Sequence, residues 1–232
     1  MMPWADIDTI LFDMDGTLLD LHFDNYFWME LVPRVYGQSR GVTEAAAREI
    51  ITCKYAEVRG TLNWYCLDYW CRELQLDIPE MKLSVRDRIS VRPNVVAFLE
   101  RLGSTGKRMI LVTNAHPKSM QLKMDVTGIA EHFHQCVSSH RLHLAKENAG
   151  FWAALKTIEP YDAERTLLID DSLPVLRQAQ REGIRHLYGV AQPDSRQPPT
   201  KPAEFPRIED FAHIMPGGSE QSSTARGGVS PD

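Results

Sequence analysis

The chain has no long hydrophobic run, no excess of basic residues and no cysteine pair spaced for a metal, and each absence removes a class of function. No uninterrupted apolar stretch approaches bilayer-spanning length, so no membrane partner is expected. Lys and Arg number 26 against 31 Asp and Glu, a formal net charge of −5. That balance argues against a dedicated nucleic-acid or anionic-membrane binder. Cys53, Cys66, Cys71 and Cys136 follow no C-x-x-C spacing, and read as reduced thiols packed as small hydrophobes. The N-terminal segment carries Asp6 and Asp8, and its apolar run of Ile10 to Phe12 is too short for a secretory signal. A cytoplasmic location follows by elimination. No internal repeat is visible.

What is present is an ordinary globular composition, 43% apolar and 25% charged over 232 residues, enough for a sizeable core. Five segments read as short buried strands, over residues 9–13, 109–113, 135–138, 167–170 and 186–190. Helical patterns separate most of them: one opened by Arg92-Pro93, one after Pro117, one from Lys146 through Trp152 and Leu155, and one after Ser172 and Pro174. Strands alternating with helices predict an α/β fold, a doubly wound Rossmann-like parallel sheet. Residues 21–90 break the alternation and read as helices over 25–36, 43–59, 63–74 and 80–89, an inserted α-helical cap. The expected organisation is therefore a core of residues 1–20 and 91–195, a cap of 21–90, and a tail of 196–232 that is largely disordered from about 217.

Ligands of open α/β sheets bind outside the carboxyl ends of the strands, so polar residues at those ends are the candidates. The first strand ends in Asp13-Met14-Asp15-Gly16-Thr17, the second in Thr113-Asn114, and the fourth in Asp170-Asp171. Lys146 stands at the head of the helix leading to the fourth strand. Two carboxylates two residues apart on one strand share a face and repel unless a proton or a metal intervenes. Asp13, Asp15, Asp170 and Asp171 are candidate hard-oxygen ligands for Mg²⁺, which binds few carboxylates plus substrate phosphate and water. Asp13 could attack phosphorus, Asp15 could serve as acid then base, and Thr113, the next backbone N–H and Lys146 could hold the phosphoryl oxygens. A D-G turn would explain Asp15-Gly16, but no hairpin partner follows. Helix capping would explain one of Asp170 and Asp171, though not both. Thr113 and Lys146 alone would be an ordinary strand residue and an exposed lysine.

Taken together, Asp13-Met14-Asp15-Gly16-Thr17, Leu111-Val112-Thr113-Asn114, Lys146 and Asp170-Asp171 resemble the four ordered motifs of the haloacid dehalogenase-like phosphohydrolases. The resemblance implies a Mg²⁺-dependent phosphatase with an aspartate nucleophile, acting through an aspartyl-phosphate, and a helical cap after the first motif. The proline frequently next to the motif lysine is absent, since Ala145 and Glu147 flank Lys146, and the fallback is that Lys123 or another residue supplies that charge. Asp15 favours phosphate chemistry over dehalogenation. A sugar-phosphate phosphatase and a β-phosphoglucomutase-like phosphotransferase share these residues and remain alternatives. A receiver-type phospho-aspartate switch would place its acidic pair before the phosphorylated Asp and carry no insert, unlike this order.

The insert bears on the substrate. Ten of the twenty Phe, Trp and Tyr residues lie between Phe23 and Trp70. Most follow helical spacing and read as the insert's own core, yet one or two rings could stack on a planar base. Asn25 and Asn63 are candidates for reading a base edge, and His116 for touching phosphate or ribose. Residues 23–28 and 61–70, with Thr113-Asn114-Ala115-His116-Pro117, resemble the bacterial GMP/IMP 5′-nucleotidases of the same family. This implies a small-molecule phosphate ester, a purine nucleoside 5′-monophosphate, as substrate. Oligomeric state is left open.

Overall fold

The apolar run near the start of the chain becomes strand β1 (Thr9–Phe12), whose four residues are all buried. Burial on both faces is what a central parallel strand requires. The computed structural model describes residues 2–200 and 204–217. It contains β2 (Arg108–Thr113), β3 (Gln135–Ser138), β4 (Thr166–Ile169), β5 (His186–Val190) and β6 (Arg207–Ile208). The sheet order is β3-β2-β1-β4-β5-β6, and every pairing is parallel.

Between β1 and β2 the chain makes the helical insert. It comprises α1 (His22–Tyr26), a π-turn (Phe27–Leu31) continuing into α2 (Val32–Arg40), then α3 (Glu44–Val58), α4 (Leu62–Tyr65), α5 (Leu67–Leu74) and α6 (Ile78–Ser84). Thr43 caps α3 as its sequence position implies, accepting from the Ala46 N–H at 3.3 Å. The expected single helix over 25–36 is instead a longer rod with a π-turn in it. Pro33 has no N–H for the Met29 carbonyl, and the Arg48 guanidinium donates there instead. The Val32 N–H bonds back to Phe27 O, which releases Trp28 O to accept from the Tyr55 hydroxyl at 3.0 Å. The π-turn thus ties α3 to the first helix through two carbonyls that a regular helix would have used itself.

The remaining helices are α7 (Val95–Gly103), α8 (Pro117–Thr127), α9 (Phe151–Ile158) and α10 (Leu173–Arg181). Ile10 and Phe12 of β1 pack with Phe98, Leu99 and Met124 of α7 and α8. Leu11 packs on the opposite face with Trp152, Leu155, Val175 and Leu176 of α9 and α10. Period-2 alternation along β1 therefore feeds two cores, and the sheet is doubly wound. A third apolar cluster, including Phe27, Ile51, Leu67 and Trp70, lies inside the insert.

Two further sequence expectations need correction. Lys146 does not head a helix: it lies in a turn, and α9 starts only at Phe151, after Gly150 with φ +85°. Part of the expected tail is also built into the core. β6 adds a sixth strand, and Phe205, Ile208 and Phe211 are buried. A two-residue strand is too short to leave a periodic signal. Residues 201–203 and 218–232 lie outside the described residues, and with them the expected disorder after 217. Among the described residues no helix is long and apolar enough to cross a membrane.

Candidate active site

The strand order reverses between β1 and β4, which leave the sheet side by side with their connections on opposite faces. Asp13 follows β1, Thr113 ends β2, and Asp170-Asp171 follow β4, so three adjacent strands deliver their polar ends to one place. Asp13, Asp170 and Asp171 each bring a carboxylate oxygen within 4.8 Å of the others. The buried Lys146 ammonium stands among them, donating to Asp13 Oδ1 and to Asp170 Oδ2 at 2.6 Å each and to Val112 O at 3.1 Å. Burial alone would lower the Lys146 pKa, but the Asp13 and Asp170 charges outweigh it and the pKa is raised.

One ammonium cannot balance three carboxylates. Burial first, then the Asp13 and Asp170 charges, push Asp171 well above the usual carboxylate range. Asp170 rises to about 7, again through burial first, with Lys146 opposing and Asp13 adding to the shift. Asp13 Oδ2 is buried with no hydrogen-bond partner. A divalent cation fits this set, because an orphaned oxygen and surplus negative charge are what a hard cation relieves.

Gly16 makes the geometry possible. Its φ is +83°, and a Cβ there would stand 2.5 Å from Asp171 Oδ2. The turn is closed by Gly16 N–H to Leu19 O at 2.8 Å, with the Leu18 and Leu19 N–H groups both on Met14 O at 2.9 Å. Asp170 has a second task, accepting the Ser172 N–H at 2.9 Å ahead of α10. The Ser172 side chain caps nothing. The capping explanation thus covers Asp170 and leaves Asp171 to the site.

Asp15 is not in the three-carboxylate group, contrary to the four-ligand expectation. Its Oδ1 accepts from Lys123 Nζ at 2.6 Å. Lys123 also reaches Asp24 of α1 at 2.5 Å, and Asp24 accepts from Lys82 of α6 at 2.8 Å. Both lysines are buried. Burial raises Asp15 to about 6, with Lys123 opposing and Asp24 and Asp13 adding. Burial would also raise Asp24, but the Lys123 and Lys82 ammoniums hold it far below its ordinary value. The fallback lysine of the sequence reading is therefore present beside Lys146, on a different acid.

The other expected residues divide. Thr113 is buried, and its hydroxyl accepts the Ala115 N–H at 3.0 Å. Asn114 Oδ1 accepts the Lys146 N–H and its Nδ2 donates to Glu147 Oε2, both at 2.9 Å. His116 is the N-cap of α8, Nδ1 accepting the Lys118 N–H at 3.3 Å. Asn25 donates to Asp194 at 2.7 Å. All four line one cavity of about 320 Å³ with the acidic group at its floor. Asn63 does not: it is exposed on α4 and lines no part of that cavity.

Sequence reasoning missed Asp24, Lys82, Tyr65 and Glu147. Tyr65 of the insert donates its hydroxyl to Glu147 Oε1 at 2.9 Å, so a cap residue reaches Asn114 and Lys146 through one carboxylate. The only signal for Glu147 was that it stands where a proline is common. Ser119 and Lys123 both line the cavity at i, i+4 on α8, a pattern available in the sequence. The cavity's upper wall is aromatic: Trp28, Tyr55, Trp64, Tyr65 and Trp70.

Comparison with known proteins agrees with this geometry. The GMP/IMP nucleotidases YrfG of Escherichia coli (strain K12) and of Shigella flexneri are each 44% identical to the chain over 215 residues, 93% of this chain and 97% of theirs. A HAD phosphatase from Thermococcus onnurineus superposes with a TM-score of 0.74 at 20% identity, covering 90% of this chain and 96% of that one, a likeness of fold. A family model described as haloacid dehalogenase-like hydrolase matches residues 7–183. The four motifs, the doubly wound sheet with its inserted cap and this match agree: the chain belongs to the haloacid dehalogenase-like hydrolases.

Proposed function

We propose that the protein is a Mg²⁺-dependent phosphomonoesterase that hydrolyses purine nucleoside 5′-monophosphates, GMP and IMP first among them. The carrying observation is the two-sided cavity, with carboxylates and three lysines below and an aromatic wall above. Its floor suits a phosphoryl group and its wall a planar base. The YrfG relatives, named for GMP and IMP, support the same reading.

Asp13, Asp170 and Asp171 would hold the cation, which when bound supplies charge neutralisation and polarisation of the phosphoryl group. Asp13 attacks phosphorus, forming a bond from a carboxylate oxygen as the bond to the nucleoside 5′-oxygen breaks. Asp15 gives its proton to that departing oxygen; a pKa of about 6 keeps a usable fraction protonated near neutrality. In the second step Asp15 takes a proton from water, which displaces Asp13 and releases inorganic phosphate. Lys146 holds Asp13 in line and offers positive charge to the transferring oxygens, with Thr113 and the backbone beyond it. Asn114 fixes the Lys146 backbone, and Asn25 and His116 border the space left for the nucleoside.

The test is a panel of nucleoside monophosphates, sugar phosphates and amino-acid phosphates assayed with Mg²⁺. GMP and IMP should give the highest kcat/KM. Equal turnover of sugar phosphates would sink the nucleotide reading, and Asp13→Asn activity on any substrate would remove Asp13 as nucleophile.

A further inference from the structure

A second group of metal-binding side chains comes together away from the acidic floor. Cys66, His116 and His140 bring one sulfur and two imidazole nitrogens within 4.8 Å of one another. They arrive from three places: Cys66 caps α5 in the insert, His116 caps α8, and His140 lies in the 3₁₀ turn (Ser139–Leu142) after β3. The two imidazoles stand 5.0 Å apart and nearly perpendicular, at 74°.

His140 carries the argument. Its Nε2 is buried with no hydrogen-bond partner. With its proton on Nδ1, the neutral ring presents a bare lone pair on Nε2, the form in which histidines bind metals. Burial, then the neighbouring His116, hold His140 down to about 4, so the ring is neutral at neutral pH. His116 is lowered too, by burial first. Its Nε2 faces Asp68 Oδ2 at 3.5 Å, and its Nδ1, which accepts the Lys118 N–H at 3.3 Å, is the nitrogen left to ligate an ion, in exchange for that cap bond. The Cys66 sulfur accepts the Tyr69 N–H at 3.4 Å.

A mixed thiol and imidazole set suits zinc and similar divalent ions, and suits magnesium poorly. We propose that Cys66, His116 and His140 form a second cation site, selective for zinc over magnesium, that fastens the helical insert to the core. Cys66 belongs to the insert and both histidines to the core, so an ion there bridges the two. His116 also lines the reaction cavity, so occupancy holds that wall in place and slows exchange of substrate and product.

Cobalt(II) reports on such a site, because only a thiolate ligand gives a sulfur-to-cobalt charge-transfer band. Titrated into the full chain under excess Mg²⁺, cobalt should produce that band at one equivalent. The band should vanish in Cys66→Ser, and affinity should fall by roughly tenfold or more in His140→Gln. Zinc should displace the cobalt and raise the melting temperature of the wild type, with the rise lost in both variants. Absence of the band in the wild type, or its survival at full intensity in Cys66→Ser, overturns the proposal.

Discussion

At the residue scale the chemistry turns on which acid each lysine serves. Lys146 neutralises Asp13 and Asp170, while Lys123 is shared between Asp15 and Asp24. Asp15 is thus set apart as a group that can carry a proton, at about 6. As an acid it acts only while protonated, so kcat/KM is expected to fall as pH rises above about 6. Asp24→Asn removes a like charge and frees Lys123 for Asp15, which should move that falling limb to lower pH in a pH–rate profile. An unmoved limb would show that Asp15 is not the titrating group. Gly16→Ala meets both a left-handed φ and the Asp171 carboxylate. It should cost about 1–3 kcal/mol in denaturant unfolding and weaken Mg²⁺ binding in a direct titration. The D-x-D-G pattern was legible in the sequence because spacing on a strand carries direction. The lysine partners were not, since which acid a lysine meets depends on how α8 and the turn before α9 pack.

At the element scale the cap and core communicate through side chains with no periodic signature. The Tyr65 hydroxyl, Glu147, Asn114 and the Lys146 backbone form one chain of hydrogen bonds from α4 to the catalytic floor. Burial first, then the Glu147 charge, push the Tyr65 hydroxyl far above its ordinary pKa, so it stays a donor. Glu147→Gln exchanges one acceptor oxygen for a donor and sets an N–H against either Tyr65 or Asn114. It is expected to lower kcat by about tenfold or more while changing KM little, as loss of positioning does. A change confined to KM would assign Glu147 to substrate binding instead. Strands β1 to β5 were readable from apolar runs, and the helical insert from composition and caps. β6 and the late start of α9 were not, because two residues cannot show a period and the turn over 145–150 has the composition of a helix start.

At the scale of the whole molecule, stability and metal binding are linked through pH. Asp15 and Asp170 rise on folding from 3.8 to about 6 and about 7. The folded state therefore holds these protons more tightly than the unfolded one. Their stabilising contribution is complete below about 4 and is lost as pH climbs through about 6 and 7. With chelator present, the melting temperature should fall across that window, and the rise produced by Mg²⁺ should grow with pH. A Mg²⁺ shift that is constant from acid to neutral pH would contradict the assignment of the carboxylate floor as the cation site.

The aromatic wall has an optical consequence. Of the five tryptophans, Trp28, Trp64 and Trp70 line the cavity, whereas Trp152 is buried against the far face of the sheet. The intrinsic emission of the protein is therefore weighted toward the place where a base would lie. A purine stacked there should quench it and a sugar phosphate should not, so in an Asp13→Asn variant the light itself separates recognition of the base from cleavage of the phosphate.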